Sequence, residues 1–132
     1  MKMYTAHAAR KGFSLLEITL VVLIMGVLMT VAVVAIAPKI FGAKLQSTKS
    51  TMETISNELD TWHATNSAYP TSLNSLPLKK QPVVDGWGRQ FYFSVPGKNG
   101  KPYDLISIGE DAIAGTQDDI DYWTMDLKQP GA

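Results

Sequence analysis

The sequence predicts an α+β fold in which one long N-terminal helix packs against a small antiparallel sheet of three strands. An uncharged apolar run at residues 18–37 is followed by a helical pattern that continues to about residue 64. Three short runs rich in β-branched and aromatic residues then lie between residues 90 and 125 and are separated by turns. Because short connections favour antiparallel pairing, we expect the strands to form a meander over the helix.

The apolar run is long enough to cross a membrane. It contains 20 residues without a charge, and at 1.5 Å per residue it spans about 30 Å, one hydrocarbon thickness. Glu17 immediately precedes this run. A carboxylate inside a membrane-compatible helix is unfavourable by a few kcal/mol, so we expect a cation to meet it.

Beyond Pro38 the helix becomes amphipathic. Apolar residues recur at spacings of three and four and are broken only by Thr48; this stripe is Phe41, Leu45, Thr48, Met52, Ile55, Leu59 and Trp62. The opposite face is predicted to be solvated and carries Lys44, Lys49, Glu53, Ser56, Asn57, Asp60 and His63. We expect a kink or local melting near Pro38 and Gly42, and the end of the helix near residues 66–70.

The remaining elements are short. A loop at residues 71–84 contains three leucines that can pin it to the core, and the segment Asp85-Gly86-Trp87-Gly88 reads as a turn that delivers Trp87 inward. The predicted strands cover residues 90–95, 103–108 and 122–125, with a turn at residues 96–100.

Composition excludes several classes of function. The formal net charge is zero, with 12 basic and 12 acidic residues, so no nucleic-acid surface is indicated. The chain has no cysteine, His63 is isolated, and neither a nucleophile motif nor a phosphate-binding loop is present. We therefore do not expect an enzyme.

Two simple interpretations of the N-terminus remain open at this stage. A secretory signal peptide cleaved after Ala37 would release a binding domain, but the apolar run is longer than the usual signal core. A plain membrane anchor would leave Glu17 unexplained.

The segment Gly12-Phe13-Ser14-Leu15-Leu16-Glu17 resembles the class III signal of type IV prepilins and pseudopilins. The resemblance implies that a prepilin peptidase cleaves between Gly12 and Phe13 and methylates the new amine of Phe13. It also implies that the Glu17 carboxylate meets this amine on a neighbouring subunit in a filament, where two buried charges would compensate one another. The expected organisation is a leader at residues 1–12, a transmembrane and assembly helix at 13–37 and a periplasmic domain at 38–132, with a cytoplasmic N-terminus.

Further motifs narrow the resemblance to the G-type major pseudopilins of type II secretion. They are Tyr69-Pro70-Thr71, Asp85-Gly86-Trp87-Gly88, Pro96-Gly97, Tyr103-Asp104-Leu105, the segment 107–111 and the segment 118–123. The family usually has proline where this chain has Gly86. The resemblance implies a pilin-like fold and a homo-oligomeric pseudopilus on the bacterial inner membrane. Its expected partners are minor pseudopilins, the prepilin peptidase and the inner-membrane assembly platform. A type IV pilus subunit is the alternative.

Seven acids and no Lys or Arg lie between Tyr103 and Leu127. Taken alone, such a run indicates a solvated edge, and its spacing is not that of an EF-hand. In the family that the chain resembles, this loop binds calcium, which takes six to eight oxygen ligands. The matching carboxylates are Asp111, Asp118 and Asp119, with the carbonyls of Ile108 and Thr116 as further ligands and Gly109 and Gly115 allowing the loop to curl. Asp121 has no assigned role.

Overall fold

The computed structural model describes Met3 and residues 11–126. Helix α1 runs from Leu15 to Asn66, and strands β1, β2 and β3 cover Tyr92–Ser94, Asp104–Ser107 and Ile120–Asp121. Two short 3₁₀ helices lie at Leu73–Ser75 and Lys98–Gly100. The chain divides into two compact units, residues 1–39 and 40–132, which are described separately. Most of the predicted leader lies outside the described residues.

In the first unit, α1 begins two residues later than Phe13, where the sequence analysis placed its start. Ser14 caps the helix, because its Oγ accepts a hydrogen bond of 3.2 Å from the backbone N–H of Glu17. The side chains that follow are exposed, and one 18-residue window of α1 has a mean hydropathy of 3.0. By length and composition this helix is able to cross a membrane.

The helical backbone continues through Pro38 and Gly42. The expected local melting is therefore absent. Proline removes one backbone donor from the helix, and the flanking turns remain helical. The helix ends at Asn66, and Ser67 adopts a left-handed conformation with a φ of 57° while its N–H bonds the His63 carbonyl at 2.7 Å.

The core of the second unit lies on the predicted apolar stripe of α1. Met52, Ile55 and Leu59 are completely buried. They cluster with buried residues from the loops and the sheet, namely Leu76, Phe91, Tyr103, Leu105, Ile120 and Met125. Burial of these side chains supplies the main stabilisation of the unit.

Two polar residues of α1 are buried within this arrangement. Thr48, the exception in the stripe, is fully buried and donates a hydrogen bond to the Lys44 carbonyl at 2.8 Å. Ser56 was wrongly placed on the solvated face, since it is only 3% exposed and its Oγ is hydrogen-bonded to the Tyr103 hydroxyl at 2.9 Å. This partner comes from a distant part of the chain, so helical spacing alone could not reveal it.

The sheet is the predicted antiparallel meander with the strand order β1-β2-β3. Phe93 pairs with Leu105, and Ser107 pairs with Ile120. The third strand was predicted at residues 122–125, and this placement is wrong. Asp121 ends β3, because its side chain accepts the N–H of Trp123 at 3.0 Å and its carbonyl accepts the N–H of Thr124 at 3.1 Å, which folds the chain into a turn.

Candidate functional site

The acidic loop, residues 108–119, connects β2 to β3 and closes around the Asp118 carboxylate. Its Oδ2 accepts the N–H groups of Glu110 at 2.7 Å and Asp111 at 3.0 Å, and its Oδ1 accepts the Thr116 hydroxyl at 2.6 Å. These bonds favour the ionised form. The Thr116 hydroxyl contributes most, followed by the N–H of Asp111, and together they lower the pKa of Asp118 to about 2.

The other two predicted carboxylate ligands lie in the same loop. Asp119 Oδ2 accepts the Gly115 N–H at 2.6 Å, whereas Asp119 Oδ1 is buried and has no hydrogen-bond partner among the described residues. Asp111 is exposed, and its Oδ1 accepts the N–H of Ile113 at 2.8 Å. Gly109 has a φ of 63°, and a side chain there would meet the Asp118 carboxylate. Only glycine fits this curve of the loop.

The part of the chain that the structure describes contains no group of three or more His, Cys, Asp or Glu residues able to hold a metal ion. The three carboxylates therefore share one loop but are not gathered as three ligands of one ion. Ile108 is partly buried, and the Thr116 carbonyl accepts the N–H of Asp119 at 3.4 Å. The chemistry of the donors still suits calcium, since the unpartnered Asp119 oxygen is a buried hard ligand.

Asp121, which had no assigned role, is paired with a lysine. Its Oδ2 lies 2.8 Å from Lys101 Nζ in a partly exposed salt bridge. Because this lysine already compensates the Asp121 charge, we do not count Asp121 among the candidate calcium ligands of the loop.

The turn at residues 85–89 contains the turn predicted at residues 85–88, and it is held together by Asp85, whose role was not predicted. Asp85 is only 5% exposed. Its Oδ1 accepts the N–H groups of Trp87 and Arg89, both at 2.9 Å, and its Oδ2 accepts the Ser107 hydroxyl at 2.6 Å. An aspartate at the first position of a turn is the sequence signal that could have indicated this role of Asp85.

This turn lies directly on α1. The Gly86 N–H donates to Thr48 Oγ1 at 2.9 Å, and a side chain on Gly86 would collide with the Lys44 carbonyl. Proline, which the resemblance led us to expect at this position, has no N–H to donate and carries the colliding carbon. Trp87 points inward as predicted and lies 5.9 Å from Phe41 between ring centroids.

Arg89 joins the turn to the acidic loop. Its Nη1 donates to the carbonyl of Gly109, and its Nη2 donates to the carbonyl of Glu110 at 2.9 Å. This role of Arg89 was not predicted, because nothing local in the sequence indicates a contact across 20 positions.

In the first unit, the residues of the predicted cleavage and assembly signal are accessible. Gly12 and Phe13 precede the helix, and Phe13 is 81% exposed. Glu17 is exposed in the first turn of α1. It stands three residues after the capping Ser14, a spacing that suits a capping box and that the sequence analysis overlooked.

Comparisons with known proteins agree with this architecture. The family model described as "Type II secretion system (T2SS), protein G" matches residues 35–123. The type II secretion system core protein G of Klebsiella michiganensis is 32% identical over 143 residues, covering 91% of this chain and 97% of that protein. The protein of the same name from Escherichia coli strain K12 is 34% identical, covering 91% of this chain and 95% of its own length.

A solved structure is also similar. The crystal structure of the major pseudopilin from the type 2 secretion system of enterohaemorrhagic Escherichia coli matches with a TM-score of 0.52 and 27% identity, covering 63% of this chain and 89% of that chain. These matches favour a secretion pseudopilin over the type IV pilus subunit and the secreted binding domain. The chain belongs to the type II secretion system protein G family, and its role is that of a pseudopilus subunit in secretion.

Proposed function

We propose that the chain is processed between Gly12 and Phe13, anchored by one membrane span, and assembled into a periplasmic filament whose acidic loop binds calcium. The observation that carries the proposal is the exposed Gly12-Phe13 junction directly before a helix that has Glu17 in its first turn and no charge at residues 18–37. The role is mechanical rather than enzymatic. Growth of the filament moves apolar helices out of lipid and into a helical bundle.

The assembly step depends on two charges. Cleavage creates an ammonium group on Phe13, which the peptidase then methylates, and the Glu17 carboxylate of a neighbouring subunit pairs with it. Removing one partner would leave a charge unpaired in a low dielectric, so the pair fixes the register between subunits. Cytoplasmic placement of the N-terminus follows from the site of the peptidase.

The expected partners follow from the same assembly. Copies of this chain form the filament, minor pseudopilins join it, and the inner-membrane platform of the secretion system supports its growth. The processed chain is a single-pass protein of the bacterial inner membrane, with its C-terminal domain in the periplasm.

Calcium would be held in the acidic loop by Asp111, Asp118 and Asp119, with the carbonyls of Ile108 and Thr116, once binding draws the three carboxylates together. When bound, the ion supplies a dense positive charge that neutralises these carboxylates. The unpartnered Oδ1 of Asp119 supports this assignment. The loop that neighbouring subunits contact is thereby fixed in one conformation.

Intact-mass analysis of the full-length chain, expressed with and without a prepilin peptidase, tests the processing. We expect the mature form to begin at Phe13 and to carry one methyl group on its amine. A mature form that begins at Pro38, or at any residue other than Phe13, would contradict both the processing and the assembly model.

Calorimetric titration of the full-length protein in detergent micelles tests the metal. We expect calcium binding that Asp119→Asn weakens by about tenfold or more, since a buried ligand is lost. Asp121→Asn is the matched control, because Asp121 lies in the same acidic run but is paired with Lys101. Absence of calcium uptake by the wild-type chain would remove the metal from the proposal.

A further inference from the structure

Arg89 and Asp118 lie on opposite sides of the same two peptide groups. The Gly109 carbonyl accepts from Arg89, while the N–H of the same peptide unit, carried by Glu110, donates to Asp118. The next unit repeats the arrangement, since the Glu110 carbonyl accepts from Arg89 and the Asp111 N–H donates to Asp118. Each peptide unit therefore has a cation at its oxygen end and an anion at its N–H end.

This arrangement is electrostatically favourable. A peptide unit has a dipole of about 3.5 D, with its negative end at the oxygen. Hydrogen bonds to ionised groups are roughly twice as strong as those between neutral groups. The guanidinium and the carboxylate also polarise each peptide group that lies between them, which strengthens the hydrogen bonds at both of its ends. Arg89 and Asp118 thus interact through the backbone between them.

The guanidinium suits this contact better than an ammonium group would. Its planar fork presents two N–H donors at a fixed spacing, so it can bind two consecutive carbonyls at once. The lysine ammonium has three rotatable donors on one nitrogen, so it lacks a planar fork whose fixed spacing matches two consecutive carbonyls.

The backbone of Arg89 is itself held in place by hydrogen bonds. The Arg89 N–H donates to the buried Asp85 carboxylate at 2.9 Å, and the Arg89 carbonyl accepts the Asp85 N–H at 2.8 Å. Asp85 in turn accepts from Ser107, the last residue of β2. The arginine therefore reaches the loop from a turn that is attached to the sheet.

We infer that Arg89 is a positioning residue that keeps the acidic loop closed before any metal ion binds, by holding two peptide groups against the Asp118 carboxylate. The part of this inference that concerns calcium rests on the proposed function, whereas the part that concerns loop closure does not. A closed loop needs less ordering on binding calcium, so Arg89 strengthens calcium binding despite its positive charge. The opposing repulsion is screened by solvent around the exposed loop.

Amide hydrogen exchange of the full-length protein in detergent micelles, with a chelator present, tests loop closure. In Arg89→Met we expect the Glu110 and Asp111 amides to exchange about tenfold faster, because the peptides that they share with the bound carbonyls are released. The Tyr122 amide, which bonds the Leu105 carbonyl in the sheet at 3.0 Å, should keep its protection. Lys101→Met is the control, since within residues 11–126 it removes a cation that pairs only with Asp121.

Arg89→Lys separates positioning from general support of the fold. It keeps the charge and the long side chain but loses the fork, so we expect an intermediate exchange rate at Glu110 and Asp111. Arg89→Met combined with Asp118→Asn should be clearly less harmful to loop protection than the sum of the single changes, because both residues act on the same peptide groups. Additive effects, or unchanged exchange in both arginine variants, would overturn the inference.

Calcium titration of the same variants distinguishes two roles of Arg89, because they predict opposite changes in calcium affinity. If Arg89 positions the loop, Arg89→Met weakens calcium binding by about fivefold or more. If its charge only repels the ion, the variant binds calcium more tightly, and this result would overturn the calcium part of the inference. A wild-type chain that takes up no calcium contradicts the proposed metal site alone, since the exchange comparison still decides the role of Arg89 in loop closure.

Discussion

At the residue scale, Tyr103 has the most consequential position. Its side chain is 1% exposed, and its hydroxyl shares a hydrogen bond with Ser56 of the long helix. Tyr69 and Trp123 flank the ring, with centroids 5.3 and 5.2 Å away, and the Trp123 indole N–H donates to the Tyr103 carbonyl at 2.8 Å. One residue thus joins the helix, the strand and the turn after β3.

Burial makes this phenol hard to ionise. It raises the pKa of Tyr103 from 10.0 to about 12, with the hydrogen bond to Ser56 acting in the opposite direction. The folded state therefore holds the phenol proton more tightly than the unfolded state. The resulting stabilisation is complete below about pH 10 and is lost as the pH rises toward 12.

Tyr103→Phe isolates this effect. We expect the variant to be less stable at neutral pH by about 1 kcal/mol, because Ser56 loses its buried partner. The difference in free energy of unfolding between the wild type and the variant should shrink as the pH rises above 10.0. Urea unfolding in detergent micelles at several pH values measures it. A difference that stays constant with pH would contradict the assignment.

At the element scale, the turn at residues 85–89 connects more of the second unit than its length suggests. It bonds α1 through Thr48, β2 through Ser107 and the acidic loop through Arg89. In the sequence, Thr48 differs from the other residues of the apolar stripe only in being polar. Its buried hydroxyl is explained by the Gly86 N–H, which arrives from 38 positions away.

Gly86→Ala should destabilise the protein. The added carbon meets backbone atoms of Lys44 that cannot rotate away, so the turn must shift and strain the bond to Thr48, at a cost of about 1–3 kcal/mol. Gly42→Ala is the matched control, because no atom of the described residues outside the adjacent helical backbone lies within 4 Å of the added carbon. Alanine is a better helix former than glycine by about 1 kcal/mol, so this change should stabilise the protein.

Thermal unfolding of the two alanine variants in micelles measures both shifts. They should have opposite signs, with a lower midpoint for the change at Gly86 and an unchanged or higher midpoint for that at Gly42. Equal stability of Gly86→Ala and the wild type would mean that the turn does not depend on close contact with the helix.

At the scale of the whole molecule, the role of the chain in a filament depends on its first unit. Glu17→Ala should leave the second unit folded and reduce the filament yield severely, because the Phe13 amine of a neighbour then lacks its partner. The hydrogen bond to Ser14 uses the Glu17 backbone and is retained in this variant.

Ser14→Ala is the control for this experiment. It removes the cap, with a loss of helix stability of about 1 kcal/mol, but keeps the carboxylate. Filaments sheared from cells that express the secretion system can be quantified for both variants. Normal yield from Glu17→Ala would contradict the pairing model, and equal losses from both variants would assign the defect to the start of the helix instead.

Local sequence patterns were sufficient to predict the helix and the three-stranded sheet. The uncharged run and the stripe from Phe41 to Trp62 predicted the long helix, because helical periodicity appears in neighbouring residues. Alternating strand residues and turn glycines predicted the three-stranded meander, although β3 lies two residues earlier than expected. The proposed cleavage junction and the proposed role of Glu17 also come from the sequence, since both rest on one contiguous motif.

Tertiary structure alone decided how the acidic loop is held. The resemblance at residues 107–111 and 118–123 implied a shared role for Asp111, Asp118 and Asp119, which stays a prediction. It did not indicate that Asp118 closes the loop, that Asp121 pairs with Lys101 or that Arg89 binds carbonyls of the loop. These contacts join residues separated by 8, 20 and 21 positions. The residues that form these contacts come together only when the sheet and the turn pack. A sequence pattern shows the periodicity of each element but not the distances between elements.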